Sequence, residues 1–244
     1  KIGVLKQIME DLASGYSNDD LLALYTLTGG IPKYVELFCD NQALTIDKMY
    51  DFVFSENSLF IDEGRNLLIT EFGKNYGTYF SILSEIANGH YTQGEIESAL
   101  GGTAIGGYLS KLENVYNLIT RERPIFAKPG TKKNVRYVIG DNFLNFWFKY
   151  IEQNRSYIEL QNFDDLRQLA KADYPTYSGR VLEKYFKQKL AETGGFKEIG
   201  SWWETKSSIG KQRINSYEID IVALKSSGKK ALIAEVKRVP ENNY

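Results

Sequence analysis

The order in which helical and strand-like patterns follow one another constrains the fold of this chain most. Residues 1–75 place apolar side chains three and four residues apart, as amphipathic helices do. Strand-like runs rich in β-branched and aromatic residues appear only later, and the longest of them lie near the end. This order predicts an α+β, multi-domain protein. The expected domains are a helical bundle (1–75), a winged helix (76–142), a helical linker (143–177) and an α/β domain (178–244).

Composition excludes several kinds of chemistry. His90 is the only histidine and Cys39 the only cysteine, so an internal disulfide and a zinc site built from histidines and cysteines are ruled out. The sequence contains no G-x-S-x-G motif, which excludes a serine hydrolase of that type. No G-K-[ST] sequence is present, so the chain has no P-loop. Apolar residues make up 43% and charged residues 25%. We therefore expect a soluble protein of the cytoplasm, with no membrane span and with Cys39 as a small hydrophobe.

The first domain has clear helix boundaries. In "SNDDLLALYTLTGG", Ser17 and Asn18 are capping residues, and Gly29 and Gly30 end the helix. Pro32 suits the first turn of the next helix. Residues 1–75 carry a net charge of −6, residues 76–142 one of +1 and residues 143–244 one of +4. The basic bias of the later segments is compatible with a polyanionic partner but mild.

Residues 76–142 have the order of a winged helix-turn-helix: three helices followed by two strand-like runs. Thr92 and Glu95 form a capping box, and Thr103 is the expected N-cap of the third helix, which offers Lys111 to a ligand. Basic residues that can contact phosphates are concentrated in the wing. They are Arg121, Arg123, Lys128, Lys132, Lys133 and Arg136. Two interpretations stay open: binding of double-stranded DNA, and a winged helix that packs against protein and leaves its wing solvated.

Aromatic residues dominate the segment "DNFLNFWFKYIEQN". Phe143, Phe146, Trp147 and Tyr150 fall at helical spacing, which is more typical of a core than of a base-stacking surface. Residues 156–176 are expected to form a helix that ends at Pro175.

Asp220, Glu235 and Lys237 lie among apolar neighbours in the stretch "YEIDIVALKSSGKKALIAEVKRV", which is predicted to be an antiparallel hairpin. Side chains alternate along a strand, so Asp220 and Glu235 can meet, with Lys237 beyond them. Two close carboxylates suit Mg²⁺, which activates water, while a lysine stabilises charge on a phosphate. Glu183 on the preceding helix is a possible third acid. A solvated hairpin face explains the same pattern without any catalysis.

Several motifs together resemble the archaeal-type AAA+ ATPases. "GGIPKYVELF" is similar to the lid motif of that family, and "DNFLNFWFKYI" to the segment after its winged helix. "GRVLEKYF", "IGSWWE", "YEIDIVAL" and "LIAEVK" resemble its C-terminal domain of unknown function, which is related to the PD-(D/E)XK nuclease fold.

The resemblance implies a site made of a helical Glu, a strand Asp and a Glu-x-Lys pair. Here these are Glu183, Asp220, Glu235 and Lys237, with Asp220 and Glu235 as ligands of Mg²⁺. Because the chain begins at Lys1 without the P-loop domain, we expect a piece of a longer protein that binds ATP only at full length. The missing N-terminal P-loop domain would be its first partner, and the nuclease-like domain is expected to be truncated. The rival hypothesis is a non-catalytic region of an ATPase that binds DNA or protein and regulates it.

Overall fold

A computed structural model describes residues 2–73, 76–128, 134–204, 208–209, 212–213, 217–228 and 230–238. The protein has a mixed α+β fold. Its chain divides into two compact units. The first contains residues 1–120 and 137–178, and the second, which we call the sheet unit, contains residues 121–136 and 179–244. Within the described ranges no helix is long and apolar enough to cross a lipid bilayer.

Helices make up the start of the chain. The first five are α1 (Ile2–Leu12), α2 (Asn18–Thr28), α3 (Pro32–Asp40), α4 (Ile46–Val53) and α5 (Phe60–Phe72). The next elements are α6 (Tyr76–Ala87), α7 (Gln93–Ala99), α8 (Gly106–Asn114), β1 (Ile119–Glu122) and β2 (Arg136–Ile139). Strands β1 and β2 pair in a two-stranded sheet, so three helices precede two strands as the sequence predicts.

Most of the predicted helix boundaries are confirmed. Ser17 caps α2 in a reciprocal capping box, and Gly29 ends it with a left-handed backbone at φ 61°. Thr92 and Glu95 form the predicted capping box of α7. The prediction that Thr103 caps α8 is wrong, because that helix begins only at Gly106 and the Thr103 hydroxyl donates instead to the Leu100 carbonyl.

The aromatic segment lies in the core of the first unit, which confirms the prediction for Phe143, Phe146, Trp147 and Tyr150. It comprises α9 (Asn142–Phe146), a π-helical turn (Trp147–Ile151), a 3₁₀ turn (Glu152–Asn154) and α10 (Arg155–Glu159). The indole of Trp147 donates to the carbonyls of Phe60 and Ile61 at 3.0 and 3.2 Å. A Cβ at Gly64 would lie 2.2 Å from that indole, so α5 needs glycine there.

Helix α11 (Phe163–Thr193) runs for 31 residues and contains Pro175. The prediction that Pro175 ends a helix is therefore wrong. A proline inside a helix costs about 3 kcal/mol because it removes a hydrogen bond and crowds the preceding turn. Burial of Tyr174, Tyr177 and Ser178 around it offsets that cost, and the Ser178 hydroxyl donates to the Tyr174 carbonyl at 2.7 Å.

The sheet unit is built on three antiparallel strands in the order β3-β6-β7. The strands of this part of the chain are β3 (Phe196–Trp203), β4 (Ser208–Ile209), β5 (Gln212–Arg213), β6 (Glu218–Lys225) and β7 (Ala231–Ala234). The pairing of Ile221 with Ala234 and of Leu224 with Ala231 confirms the predicted hairpin. Strand β7 ends at Ala234, however, so the expected strand through residue 239 is too long, and Glu235 and Lys237 follow the strand instead of lying in it.

The turn between β1 and β2 belongs to the sheet unit and not to the helices before it. The backbone N–H of Ile125 donates to the Ser201 carbonyl of β3 at 2.8 Å. Pro124 and Ile125 are buried. This segment therefore covers part of the outer edge of β3, an edge that would otherwise present unpaired backbone groups.

Candidate functional site

Helix α11 presents two charged side chains on one face of the sheet unit. Glu183 and Lys187 are four residues apart, so they are neighbours on the helix surface. Both are partly buried. The Lys187 ammonium donates to the Ser201 hydroxyl at 2.5 Å, which fixes this face of the helix against strand β3.

Ser201 lies where the pairing of β3 with β6 is irregular. Gly200 pairs with Val222 and Trp202 with Ile219, so β6 has one extra residue at this point, as in a β-bulge. The Ser201 hydroxyl donates to the backbone carbonyl of Asp220 at 2.9 Å. The bulge and the serine together orient Asp220 in relation to the lysine on α11. We call Glu183, Lys187, Ser201 and Asp220 the acidic cluster.

The Asp220 carboxylate holds the segment that follows β7. Its Oδ2 atom accepts a hydrogen bond from the Val236 N–H at 2.8 Å. The backbone on both sides of Val236 is thereby fixed beside Asp220, while the side chains of Glu235 and Lys237 are exposed. The structure thus brings the predicted Asp220 next to the Glu-x-Lys backbone.

Glu183 is the acid whose ionisation the site perturbs most clearly. Burial, followed by repulsion from the Asp220 carboxylate, raises the pKa of Glu183 from 4.5 to about 7. Glu218 raises this pKa further, while Lys187 and Arg180 lower it. Glu183 and Asp220 are therefore close enough to repel each other. A carboxyl group with a pKa near 7 can exchange a proton at neutral pH, which general acid–base chemistry requires.

A second ionic contact borders the acidic cluster. Arg136 forms two parallel hydrogen bonds to the Glu218 carboxylate, at 2.5 and 3.0 Å, and its guanidinium lies 4.2 Å from the ring centroid of Trp203. Bidentate pairing and stacking both favour arginine over lysine. Arg136 is also one of the residues predicted to contact nucleic acid, and within the protein its guanidinium binds Glu218.

The other basic residues predicted to bind nucleic acid are either exposed or outside the described residues. Arg121, Arg123, Lys128 and Lys111 are exposed, although Arg121 also has a partner within the protein. Lys132 and Lys133 lie outside the described residues. The described cations of the turn segment therefore include two exposed residues, Arg123 and Lys128, on either side of the buried pair Pro124 and Ile125.

The oxygen atoms of the acidic cluster fit a hard divalent cation. Mg²⁺ prefers carboxylate oxygens and is commonly held by one or two of them together with water. Burial is the main cause of the raised pKa of Glu183, and the Asp220 carboxylate adds a repulsion that a bound cation would relieve. Among the described residues, however, no three Asp, Glu, His or Cys side chains form a group that could hold a metal. Any such ion would therefore rest on the pair Glu183 and Asp220 with help from water or substrate.

Sequence reasoning missed two members of the cluster, Lys187 and Ser201. The spacing of four residues between Glu183 and Lys187 was the available signal, since it places both on one helix face. Ser201 gave none, because a serine between Gly200 and Trp202 becomes a bridge only when α11 and β6 pack on either side of it.

Comparisons with known proteins place this mixed α+β chain beside proteins of unknown function. Residues 147–242 match the family model DUF234, described as archaeal and bacterial proteins of unknown function. An uncharacterized protein of the archaeon Methanocaldococcus jannaschii is 35% identical over 232 residues, which cover 90% of this chain and 48% of that protein. The chain thus spans about half the length of this relative. No solved structure matches it significantly.

Proposed function

We propose that this chain is the C-terminal part of an ATPase and that its sheet unit is a Mg²⁺-dependent, nuclease-like domain that hydrolyses phosphodiesters of DNA. One observation carries the proposal. Glu183, Lys187, Ser201 and Asp220 converge from one helix and two strands, and the Asp220 carboxylate bonds to the backbone between Glu235 and Lys237. Carboxylates beside lysines are the groups that phosphodiester hydrolysis needs.

The residues have distinct roles in this reaction. Asp220 and Glu183 would hold Mg²⁺, with water or substrate supplying the remaining oxygen atoms. Bound there, the metal supplies Lewis acidity and lowers the pKa of a water ligand. Lys237, exposed at the end of the same segment, stabilises the negative charge on the phosphate. Lys187 holds Ser201, and through it the backbone of Asp220, in place.

The order of the sequence motifs and the length of the archaeal relative support the ATPase part of the proposal. The motifs that resemble an AAA+ lid, a winged helix and a nuclease-like domain follow one another in this chain, and three helices do precede two strands. The archaeal relative has about twice the length that the chain covers, which leaves room for a P-loop domain. ATP would be bound there. The exposed Lys111, Arg123 and Lys128 are described candidates for contact between the winged helix and double-stranded DNA.

A plasmid-nicking assay tests the catalytic proposal. The full-length protein is incubated with supercoiled DNA and Mg²⁺ or Mn²⁺, and nicked product is quantified. We expect metal-dependent nicking that falls by at least about 100-fold in Asp220→Asn and in Lys237→Ala. Glu192→Gln is the matched control, because this exposed glutamate lies on α11 away from the cluster. Nicking that survives Asp220→Ala and Lys237→Ala combined would refute the proposal.

A second candidate function is a non-catalytic regulatory region that binds DNA or protein. The bond from Val236 to the Asp220 carboxylate favours it, because this bond gives Asp220 a structural task that a catalytically inactive domain also needs. Titration of a labelled duplex at two salt concentrations distinguishes the candidates. DNA binding that weakens in Lys111→Glu and Lys128→Glu, without nicking in the wild type, supports the regulatory role. Unchanged affinity in these variants argues against phosphate contact by either lysine.

A further inference from the structure

The turn at residues 124–127 has an unusual residue at its third position. The Ala127 N–H donates to the Pro124 carbonyl at 3.0 Å, which closes a β-turn. Phe126 occupies the third position with φ +75°. Turns with positive φ there ordinarily use glycine or asparagine, because a large side chain is disfavoured in the left-handed region.

Among the described residues, packing of the Phe126 side chain does not compensate for the strain of its positive φ. The ring of Phe126 is 65% exposed, and it stacks on no aromatic ring in the described part of the chain. The two residues before it are buried, and the Ile125 N–H is bonded to Ser201. The protein therefore fixes the turn firmly and presents a large apolar ring to solvent from it. A strained, exposed aromatic on a fixed turn is typical of a ligand contact.

The surroundings of Phe126 point to the chemistry of that ligand. Arg123 and Lys128, three residues before it and two after it, are exposed cations. Nucleic-acid strands with unpaired bases are bound by this combination, in which cations follow the phosphates and an aromatic ring stacks on a base. A paired base inside a duplex is already stacked and offers the ring no free face.

We infer that Phe126 stacks on an unpaired base, so that the DNA recognised by the sheet unit contains a single-stranded segment. This inference rests on the proposed function and narrows its substrate class. One hydrogen bond links the turn to the acidic cluster: Ile125 binds the carbonyl of Ser201, and the hydroxyl of Ser201 bridges Lys187 and Asp220. A DNA strand bound at Phe126 is therefore bound by a turn that is hydrogen-bonded to the residue joining Lys187 and Asp220.

Fluorescence anisotropy with three labelled DNAs tests the inference: a single strand, a blunt duplex of the same sequence, and that duplex with an overhang. The full-length protein is compared with Phe126→Gly, Phe126→Trp and Tyr217→Ala, the last being an equally exposed aromatic of the same unit. Phe126→Gly should weaken binding of the single strand and the overhang by about 5- to 100-fold, and binding of the blunt duplex by less than about twofold. Phe126→Trp and Tyr217→Ala should bind like the wild type.

A stability measurement separates ligand contact from a structural role. Phe126→Gly relieves the positive φ, so its urea midpoint should equal or exceed that of the wild type while binding falls. The inference is overturned if Phe126→Gly binds all three DNAs like the wild type, if it loses duplex and single strand equally, or if the wild type binds no DNA. Selective loss of single-strand binding in a protein that nicks no DNA supports this inference while refuting the nuclease proposal.

Discussion

Replacing Glu183 by glutamine should stabilise the metal-free protein at alkaline pH and leave its stability at acidic pH nearly unchanged. In the folded chain, burial and then the Asp220 charge raise the pKa of Glu183 from 4.5 to about 7. Between these values the folded protein keeps a proton that the unfolded chain has released. The free energy of unfolding of the wild type therefore falls as pH rises through this window. Glutamine resembles the protonated acid at every pH and removes this loss.

The size of the effect follows from the pKa of about 7. One pKa unit corresponds to 1.36 kcal/mol, so the rise of the Glu183 pKa from 4.5 to about 7 corresponds to about 3.4 kcal/mol. Glu183 is only partly buried, so solvent screening reduces the expected effect to about 1–2 kcal/mol. We expect Glu183→Gln to exceed the wild type in free energy of unfolding by that amount at about pH 8 and by almost nothing at about pH 3.

Urea unfolding in the presence of a chelator, followed by tryptophan fluorescence, measures this difference across the pH range. Trp202 and Trp203 lie in β3 and report on the sheet unit. Glu192→Gln, on the exposed side of the same helix, should follow the wild type at every pH. Parallel profiles for Glu183→Gln and the wild type, or a larger gain at acidic than at alkaline pH, would refute the argument.

A variant of the neighbouring acid gives an independent test of the cause. Asp220→Asn keeps an oxygen that can accept from Val236 but removes the charge that repels Glu183. The pKa of Glu183 should then fall, and the loss of stability between about pH 5 and about pH 7 should shrink. An unchanged pH dependence would show that the Asp220 charge does not contribute to the raised pKa of Glu183.

Two further predictions concern packing and ion pairing. Gly64→Ala should lower the free energy of unfolding by about 2–3 kcal/mol, because the new Cβ would lie 2.2 Å from the Trp147 indole. Gly77→Ala is the control: its Cβ would enter open space, so the same urea titration should show no loss of stability. Equal stability of the two variants would contradict the close contact. Arg136→Ala should destabilise the sheet unit by about 1 kcal/mol, and Arg136→Lys should restore little of this because lysine cannot make both bonds to Glu218. Full recovery by lysine would show that only the charge matters.

Local signals in the sequence predicted the helix boundaries and the hairpin well. The capping box of Thr92 and the left-handed end at Gly29 depend on a few adjacent residues, so a short motif contains the whole cause. The same holds for the antiparallel pairing of β6 with β7, whose loop is short. The α+β class follows from these local patterns.

Long-range packing accounts for what sequence reasoning missed. Pro175 disfavours a helix locally, and only the burial of its neighbours keeps α11 continuous. The pairing of Arg136 with Glu218, far along the chain, could not be predicted from local sequence. Within the site, strand alternation predicted Asp220, and a resemblance supported both Asp220 and Glu183, whereas Ser201 required knowledge of which elements meet. Motifs thus indicated the acids but not the side chains that orient them.

The sheet unit draws on two separate parts of the chain, and this has a consequence for its biosynthesis. Residues 121–136 leave the ribosome long before β3. Ile125 in this early segment covers the edge of β3 by its hydrogen bond to Ser201. The earlier segment must wait for its partner, and the pairing closes a large loop, which slows folding. A shortened protein that starts at residue 147, where the family match begins, would keep every acid of the cluster and yet lack the strip of chain that covers β3. We expect such a fragment to self-associate through that open edge.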